Sequence, residues 1–294
     1  MKKITLILLL LFLTQCSITK PFANDTRVTD TRVALALGGG GSRGYAHIGA
    51  IEVLEENNIP IDFIVGSSIG SFVGALYADN KDIQKTKTIL FSAKRNELLD
   101  FSISDSFKIF NSLSSPVKGE AYEQFIDKNL TAKKFSDLKI PLMVVTVDAN
   151  TGEKVIFKDG PIAPAVRASS AIPPVISPVI IDGRTLIDGG VLEAVPVTTA
   201  KLYKPNLIIA IDINNLPEKK VPNNMIELTY RALWLSYYQL SRLQSAQADI
   251  DIHPDLSGHG TFDDSRKEEL YQLGRKAALN AIPQIKKKLR AINQ

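Results

Sequence analysis

Two apolar runs, each ending in a glycine-rich turn, constrain this chain more than any other feature. Val33-Ala34-Leu35-Ala36-Leu37 leads into Gly38-Gly39-Gly40-Gly41-Ser42-Arg43-Gly44, and Ile61-Asp62-Phe63-Ile64-Val65 leads into Gly66-Ser67-Ser68-Ile69-Gly70. Short apolar runs bounded by glycine read as buried strands. Between the two, Ile48, Ile51 and Leu54 fall on one helical face and Glu52, Glu55 and Glu56 on another, until Pro60 ends the pattern. A second helix is expected from about Ile69 to Ala78, with Gly70, Ser71, Gly74 and Ala75 small enough for close packing. Strand, glycine turn, helix, strand is the unit of a parallel sheet covered by helices on both faces.

The pattern continues downstream. Leu142 to Val147, Lys154 to Phe157 after the Thr151-Gly152 turn, and Leu207 to Asp212 read as further strands. Met225 to Gln247 is apolar at helical spacing, and the chain is helical again from Ser265. Residues 80–135 are mixed and polar, with the serine-rich stretch Ser112 to Pro116; a cap over a site is one role for them. With 294 residues, 45% of them hydrophobic, there is enough apolar material for one full core.

The second turn is a G-x-S-x-G at a strand end, the setting in which a serine becomes a nucleophile elbow. Residues without a Cβ on either side let the backbone reverse sharply around Ser68, which makes Gly66 and Gly70 part of the device. The first turn fits G-x-G-x-x-G through Gly39, Gly41 and Gly44. A dinucleotide site also needs an acidic residue at the end of the second strand, and Asp62 stands at its start instead. No Lys-Ser/Thr pair follows the glycines, so a phosphate-binding loop fails too. Beside a nucleophilic serine the same loop has a better use. Backbone N–H groups of Gly39, Gly40, Gly41, Ser42, Arg43 and Gly44 can stabilise the oxyanion of an acyl transfer, with help from the N-terminus of the following helix.

A base must accompany the serine, and three histidines are available. His47 precedes Ser68, against the usual Ser, Asp/Glu, His order. His253 and His259 follow it, in a polar, turn-rich segment. The alternative is Asp188 in Leu186-Ile187-Asp188-Gly189-Gly190, with Gly189 and Gly190 leaving room beside it. A carboxylate of ordinary pKa is a poor base for a hydroxyl, but desolvation raises its basicity. There is no Cys/His cluster at metal-ligand spacing and no D-x-[DN]-x-[DN]-G calcium loop, so neither metal nor cofactor is expected.

The N-terminus reads as an export signal. Met1-Lys2-Lys3 is a basic start, and Ile4 to Leu13 is about half the ~20 residues a membrane span needs. Cys16, the only cysteine, resembles the acylated residue of a bacterial lipobox, although Gln15 stands where that pattern has a small residue. The expected organisation is a signal peptide over 1–16, a polar tether over 17–32, a catalytic region over 33–203, and a segment over 204–294 completing the same α/β unit. Lipidation at Cys16 would hold the protein to a membrane of the cell envelope. The net charge of +4 is spread over 35 Lys and Arg, and Lys286-Lys287-Lys288 suits the solvated face of a terminal helix, so no nucleic-acid partner is expected.

Taken together, Gly39-Gly40-Gly41-Ser42-Arg43-Gly44, Gly66-Ser67-Ser68-Ile69-Gly70 and Asp188-Gly189-Gly190 resemble the motifs of the patatin-like phospholipases. Val166-Arg167-Ala168-Ser169-Ser170-Ala171-Ile172-Pro173-Pro174 is similar to the family's stretch before the aspartate, and the resemblance runs from Val33 to Tyr203. It implies an α/β class protein with a three-layer α/β/α fold and a mostly parallel central sheet. It also implies a Ser–Asp dyad, Ser68 as nucleophile and Asp188 as proton acceptor, acting on phospholipid or lysophospholipid esters with the glycine loop as oxyanion hole. Two rivals stand beside it: a Ser–Asp–His esterase using His253 or His259, and a catalytically silent lipid-binding envelope protein.

Overall fold

The computed structural model describes residues 32–102, 112–216 and 221–294. The export segment, Cys16 and the tether up to residue 31 lie outside the described residues. So does part of the 80–135 region. Strands are β1 (Val33–Leu37), β2 (Phe63–Ser67), β3 (Leu142–Asp148), β4 (Lys154–Phe157), β5 (Val179–Ile181), β6 (Arg184–Asp188), β7 (Leu207–Ile211) and β8 (Ile250–Ile252). Helices are α1 (Tyr45–Glu56), α2 (Ile69–Asn80), α3 (Ile83–Ser92), α4 (Arg95–Leu98), α5 (Glu120–Asn129), α6 (Ile162–Ser169), α7 (Val197–Lys201), α8 (Met225–Ser245) and α9 (Lys267–Ile292).

The sheet runs β5-β6-β3-β2-β1-β7-β8, with β4 also paired to β3. From β3 to β8 every neighbour on that path is parallel, whereas β4, β5 and β6 join antiparallel. The expected three-layer, mostly parallel α/β sheet is therefore present. Alternation along the inner strands sorts its two faces. Leu35, Leu37, Ile64, Val144 and Ile209 point into a core with α1, α2 and α9, while Ala34, Ala36, Val65, Val145 and Ala210 point into a smaller core with Val195, Val197 and Ala200. The glutamate face of α1 also has a partner. Glu52 is buried against Tyr271 and Arg275 of α9, and Arg275 reaches Glu56 at 2.9 Å.

Register, more than proximity in sequence, builds the site. Val144 and Val145 each pair with both β2 and β4, and Thr146 and Val147 each pair with both β4 and β6. β4 thus takes one edge of β3, while β2 and β6 lie end to end along the other. β2 stops with Ser67 opposite Val145, and Asp188 arrives opposite Thr146, the next residue of β3. The β5–β6 hairpin that delivers Asp188 turns on Asp182-Gly183, both at positive φ (49° and 76°), the conformation of the tight turn that suits strand twist.

Candidate active site

Ser68 joins β2 to α2 with φ 53° and ψ −129°, a sparsely populated conformation that persists only where the surroundings impose it. Three contacts impose it here. Ser68 N–H donates to Ser169 Oγ at 2.9 Å, Ser169 Oγ–H donates on to the Val145 carbonyl at 2.6 Å, and Ser71 Oγ–H donates to the Ser68 carbonyl at 2.6 Å. The flanking glycines are sites of close approach. A Cβ on Gly66 would stand 2.4 Å from Ser71 Cα, and one on Gly70 would stand 2.2 Å from the Leu37 carbonyl oxygen. The turn is too tight for any other residue at those two positions.

Asp188 is 3% exposed. Its N–H is held by the Ala171 carbonyl at 2.9 Å, so the segment that braces Ser68 through Ser169 also anchors Asp188. Gly190 N–H donates to Oδ1 at 2.7 Å, whereas Oδ2 is buried without a hydrogen-bond partner. Loss of hydration pushes this carboxyl up to about 7, against the pull of the Ser68 hydroxyl and the Gly190 amide in the other direction. The serine is thus near enough to favour the charged carboxylate, yet no hydrogen bond closes on Oδ2. Gly189 lies against the end of β2, where an added Cβ would meet the Val145 carbonyl oxygen at 2.2 Å and Ser67 Oγ at 3.0 Å.

The glycine loop divides its amides. Gly39 N–H donates to the Ala194 carbonyl at 2.9 Å, Ser42 N–H to Thr261 at 2.7 Å and Arg43 N–H to Gly40 at 3.4 Å; no backbone acceptor among the described residues takes the amides of Gly40 and Gly41. Gly41 has φ +59°, and a Cβ there would lie 2.3 Å from the Thr261 carbonyl oxygen. Gly44 closes the loop against Ile69. Arg43 is buried, with Nε–H donating to the His259 carbonyl at 3.0 Å. From below, Asn214 Nδ2–H holds the Gly39 carbonyl at 3.0 Å and Asp212 at 3.0 Å, and Arg242 ties Asp212 to Asp251 at 3.0 and 2.9 Å.

None of the histidines is hydrogen-bonded to the serine. His47 is fully buried with Nε2 2.7 Å from the Gly38 carbonyl, and desolvation lowers its pKa to about 4. It is therefore a neutral donor that steadies the glycine loop. His253 Nδ1 meets the Asp212 carbonyl at 2.9 Å, and His259 sits beside Leu256, Ser257 and Glu269.

Ser68 also opens onto an apolar cavity of ≈ 150 Å³ with Phe72, Val73, Leu90, Leu98, Val117 and Ile176 on its walls. The 80–135 region therefore contributes walls to this cavity through α3, α4 and the segment before α5. Ser169, Ala171, Asn214, Arg242 and Tyr237, whose hydroxyl lies against Gly39 and Gly190, have no signature in the sequence beyond the two that fall in the stretch before the aspartate. Among the described residues no group of three or more His, Cys, Asp or Glu is placed to hold a metal ion, and no helix is long and apolar enough to cross a membrane.

Comparison with known proteins adds four findings. The family model for patatin-like phospholipase matches residues 35–201. The chain is 30% identical over 287 residues to patatin-like phospholipase domain-containing protein 6 of Mus musculus, covering 86% of this chain and 21% of that protein. It is 27% identical over 291 residues to lysophospholipase nte1 of Aspergillus fumigatus, covering 88% of this chain and 19% of the relative. The chain spans about a fifth of the length of these relatives. Among solved structures, VipD from Legionella pneumophila superposes with a TM-score of 0.57 at 15% identity, over 87% of this chain and 67% of that one, a likeness of fold.

Proposed function

The chain belongs to the patatin-like phospholipase family, and from that premise we propose that it is a serine acyl hydrolase that cleaves carboxylic esters of lipids with Ser68 and Asp188. The observation that carries this reading is the register of β2 and β6 along one edge of β3, with the buried Oδ2 of Asp188 left unpartnered beside the strained serine. A carboxyl at about 7 matches the basicity that proton transfer near neutral pH requires. The apolar cavity at Ser68 suits an acyl chain. With relatives described as a patatin-like phospholipase and a lysophospholipase, a phospholipid or lysophospholipid is the substrate class that fits.

The chemistry follows from these positions. Ser68 Oγ attacks the acyl carbonyl carbon while its proton passes to Asp188 Oδ2. The amides of Gly40 and Gly41, with the N-terminus of α2, hold the resulting oxyanion, each donor contributing roughly 10²–10³ in rate. Collapse of the intermediate breaks the ester C–O bond, and the proton leaves Asp188 for the departing alkoxide. Water then repeats the sequence on the acyl-enzyme, with Asp188 again as the base. The histidine contacts favour the dyad over a triad, because each ring is engaged with the loop, with Asp212 or with residues near Glu269.

The test is mass spectrometry of products from a mixed lipid extract, paired with labelling by a serine-directed fluorophosphonate. Fatty acid release and labelling are expected from the wild type and from neither in Ser68→Ala. Absence of both from folded wild type would favour a lipid-binding protein without catalysis. Near-complete loss of release in His253→Ala or His259→Ala, with the fold intact, would favour the triad.

A further inference from the structure

Tyr237, on α8, brings its hydroxyl to the catalytic centre, where no group among the described residues accepts from it. A Cβ added to Gly39 would stand 2.2 Å from Tyr237 Oη, and one added to Gly190 would stand 2.4 Å from it. The hydroxyl therefore fills the gap between the glycine loop and the Asp-Gly-Gly turn, and the same point on Gly39 lies 3.0 Å from Ser68 Cβ. The ring is fixed edge-on by Trp234, with centroids 5.2 Å apart, and Trp234 meets Tyr230 in the same manner at 5.8 Å. Burial, then the charges of Asp188 and Asp212, drive its phenol well above 10, so the hydroxyl keeps its proton and remains a donor. Tyr237 is half-buried, and its hydroxyl faces the site, where a bound substrate would be the group to accept from it.

The walls of the acyl cavity say which part of a substrate it would meet. That cavity is bounded by Gly41, Ser42, Ser68 and Ile69, and by none of Gly39, Asp188, Gly190 or Tyr237. A tetrahedral centre on Ser68 Oγ has three other substituents. The chain takes the cavity and the oxyanion takes the Gly40 and Gly41 amides, which leaves the departing oxygen on the side where Asp188 and Tyr237 stand. We propose that Tyr237 is a catalytic residue that donates a hydrogen bond to the leaving-group oxygen of the ester. Its proton stays on Oη throughout. As the acyl C–O bond breaks, the departing alkoxide takes its proton from Asp188 Oδ2, and the Tyr237 hydrogen bond carries the charge that develops before that transfer.

The inference rests on the hydrolase reading above, and the experiment separates the two. Ethyl and p-nitrophenyl esters of one fatty acid are compared by kcat/KM in wild-type, Tyr237→Phe and Ser68→Ala protein. An ethoxide leaving group needs stabilisation and p-nitrophenolate needs little. Tyr237→Phe is expected to lose about 10²-fold on the ethyl ester and less than about tenfold on the p-nitrophenyl ester. Equal losses on both would reduce Tyr237 to a packing role and overturn the proposal. A gain on both would mean that the hydroxyl occupies room the substrate needs, which overturns it as well. Should the variant misfold, wild-type rates across aryl esters of graded leaving-group basicity decide: a shallow dependence supports the donor, and a steep one refutes it. Wild type that hydrolyses neither ester in a Ser68-dependent way would sink the hydrolase reading, and this one with it.

Discussion

Asp188 illustrates how a single carboxyl can be made basic by what surrounds it. No cation lies among the groups that shift it; desolvation dominates, and the Gly190 amide and the nearby Ser68 hydroxyl offset that only in part. A catalytic base with its pKa near 7 must be ionised to act, so kcat/KM should fall about tenfold per pH unit below that value and level off above it. The same shift has a cost in stability. Because the folded value of about 7 exceeds the ordinary 3.8, the stability contributed by the neutral carboxyl is complete below pH 4 and is lost as pH rises through 7. Asp188→Asn, whose Oδ1 can still accept from Gly190, should abolish turnover and raise Tm at pH 8. The gain should be on the order of 2–4 kcal/mol, with little change at pH 4. A variant that is inactive but less stable at pH 8 would contradict this account. Ser68 and Asp188 were legible as residue types in the sequence, since glycine-flanked turns at strand ends advertise themselves. Tyr237 was not: a tyrosine at helical spacing within an apolar stretch carries no mark of where its hydroxyl points.

At the scale of elements, the strands that β-branched runs and glycine turns announce were the most readable part of the chain. β1 and β4 occupy the residues expected of them, and β3, β7, α2 and α8 differ by a residue or two at their ends. β5, β8 and α6 went unread because each is short and lacks a run long enough for a period to emerge. That gap matters, since α6 ends in the residue that braces the elbow. Ser169 Oγ accepts from Ser68 N–H and donates to Val145, tying α6 to β2 and β3 at one point. Ser169→Ala would leave a buried amide and a buried carbonyl without that partner, at a cost of about 1–3 kcal/mol. The elbow would also relax toward commoner dihedrals. We expect kcat to drop by roughly 10²-fold with KM little changed, measured on a soluble ester, together with a lower midpoint in urea. Unchanged kcat with reduced stability would mean that the elbow's conformation is held without the serine.

On the whole-molecule scale, the site is divided between parts of the chain that sequence could and could not connect. The parallel sheet delivers Ser68 and the glycine loop from the N-terminal half, and the β5–β6 hairpin inserts Asp188 from the other direction. The apolar cavity is assembled differently, mainly from α2, α3, α4, the stretch around Val117 and the turn at Ile172 and Ile176. Those segments share no periodic pattern, because a cavity wall needs apolar contact from several directions rather than one buried stripe. Val117 pairs with Ile176 as an isolated bridge, with Val117 N–H donating to the Val175 carbonyl at 3.1 Å, Ser177 N–H to the Val117 carbonyl at 2.9 Å and Ser115 N–H to Ser177 Oγ at 3.0 Å, so the far wall is pinned at several points. Ile176 is partly exposed and lies outside the Ser68–Asp188 hydrogen bonds, which makes it the place to narrow the cavity without disturbing the chemistry. Ile176→Trp should fill much of a space of ≈ 150 Å³, and overpacking at a half-exposed wall is tolerated better than in a closed core. The expected result is loss of kcat/KM on long-chain p-nitrophenyl esters by at least about tenfold, the scale on which one or two misplaced methylenes discriminate, with acetate or butyrate esters nearly unaffected. A uniform loss across chain lengths would place the acyl chain elsewhere on the molecule, and the leaving-group side assigned to Tyr237 would have to be redrawn with it.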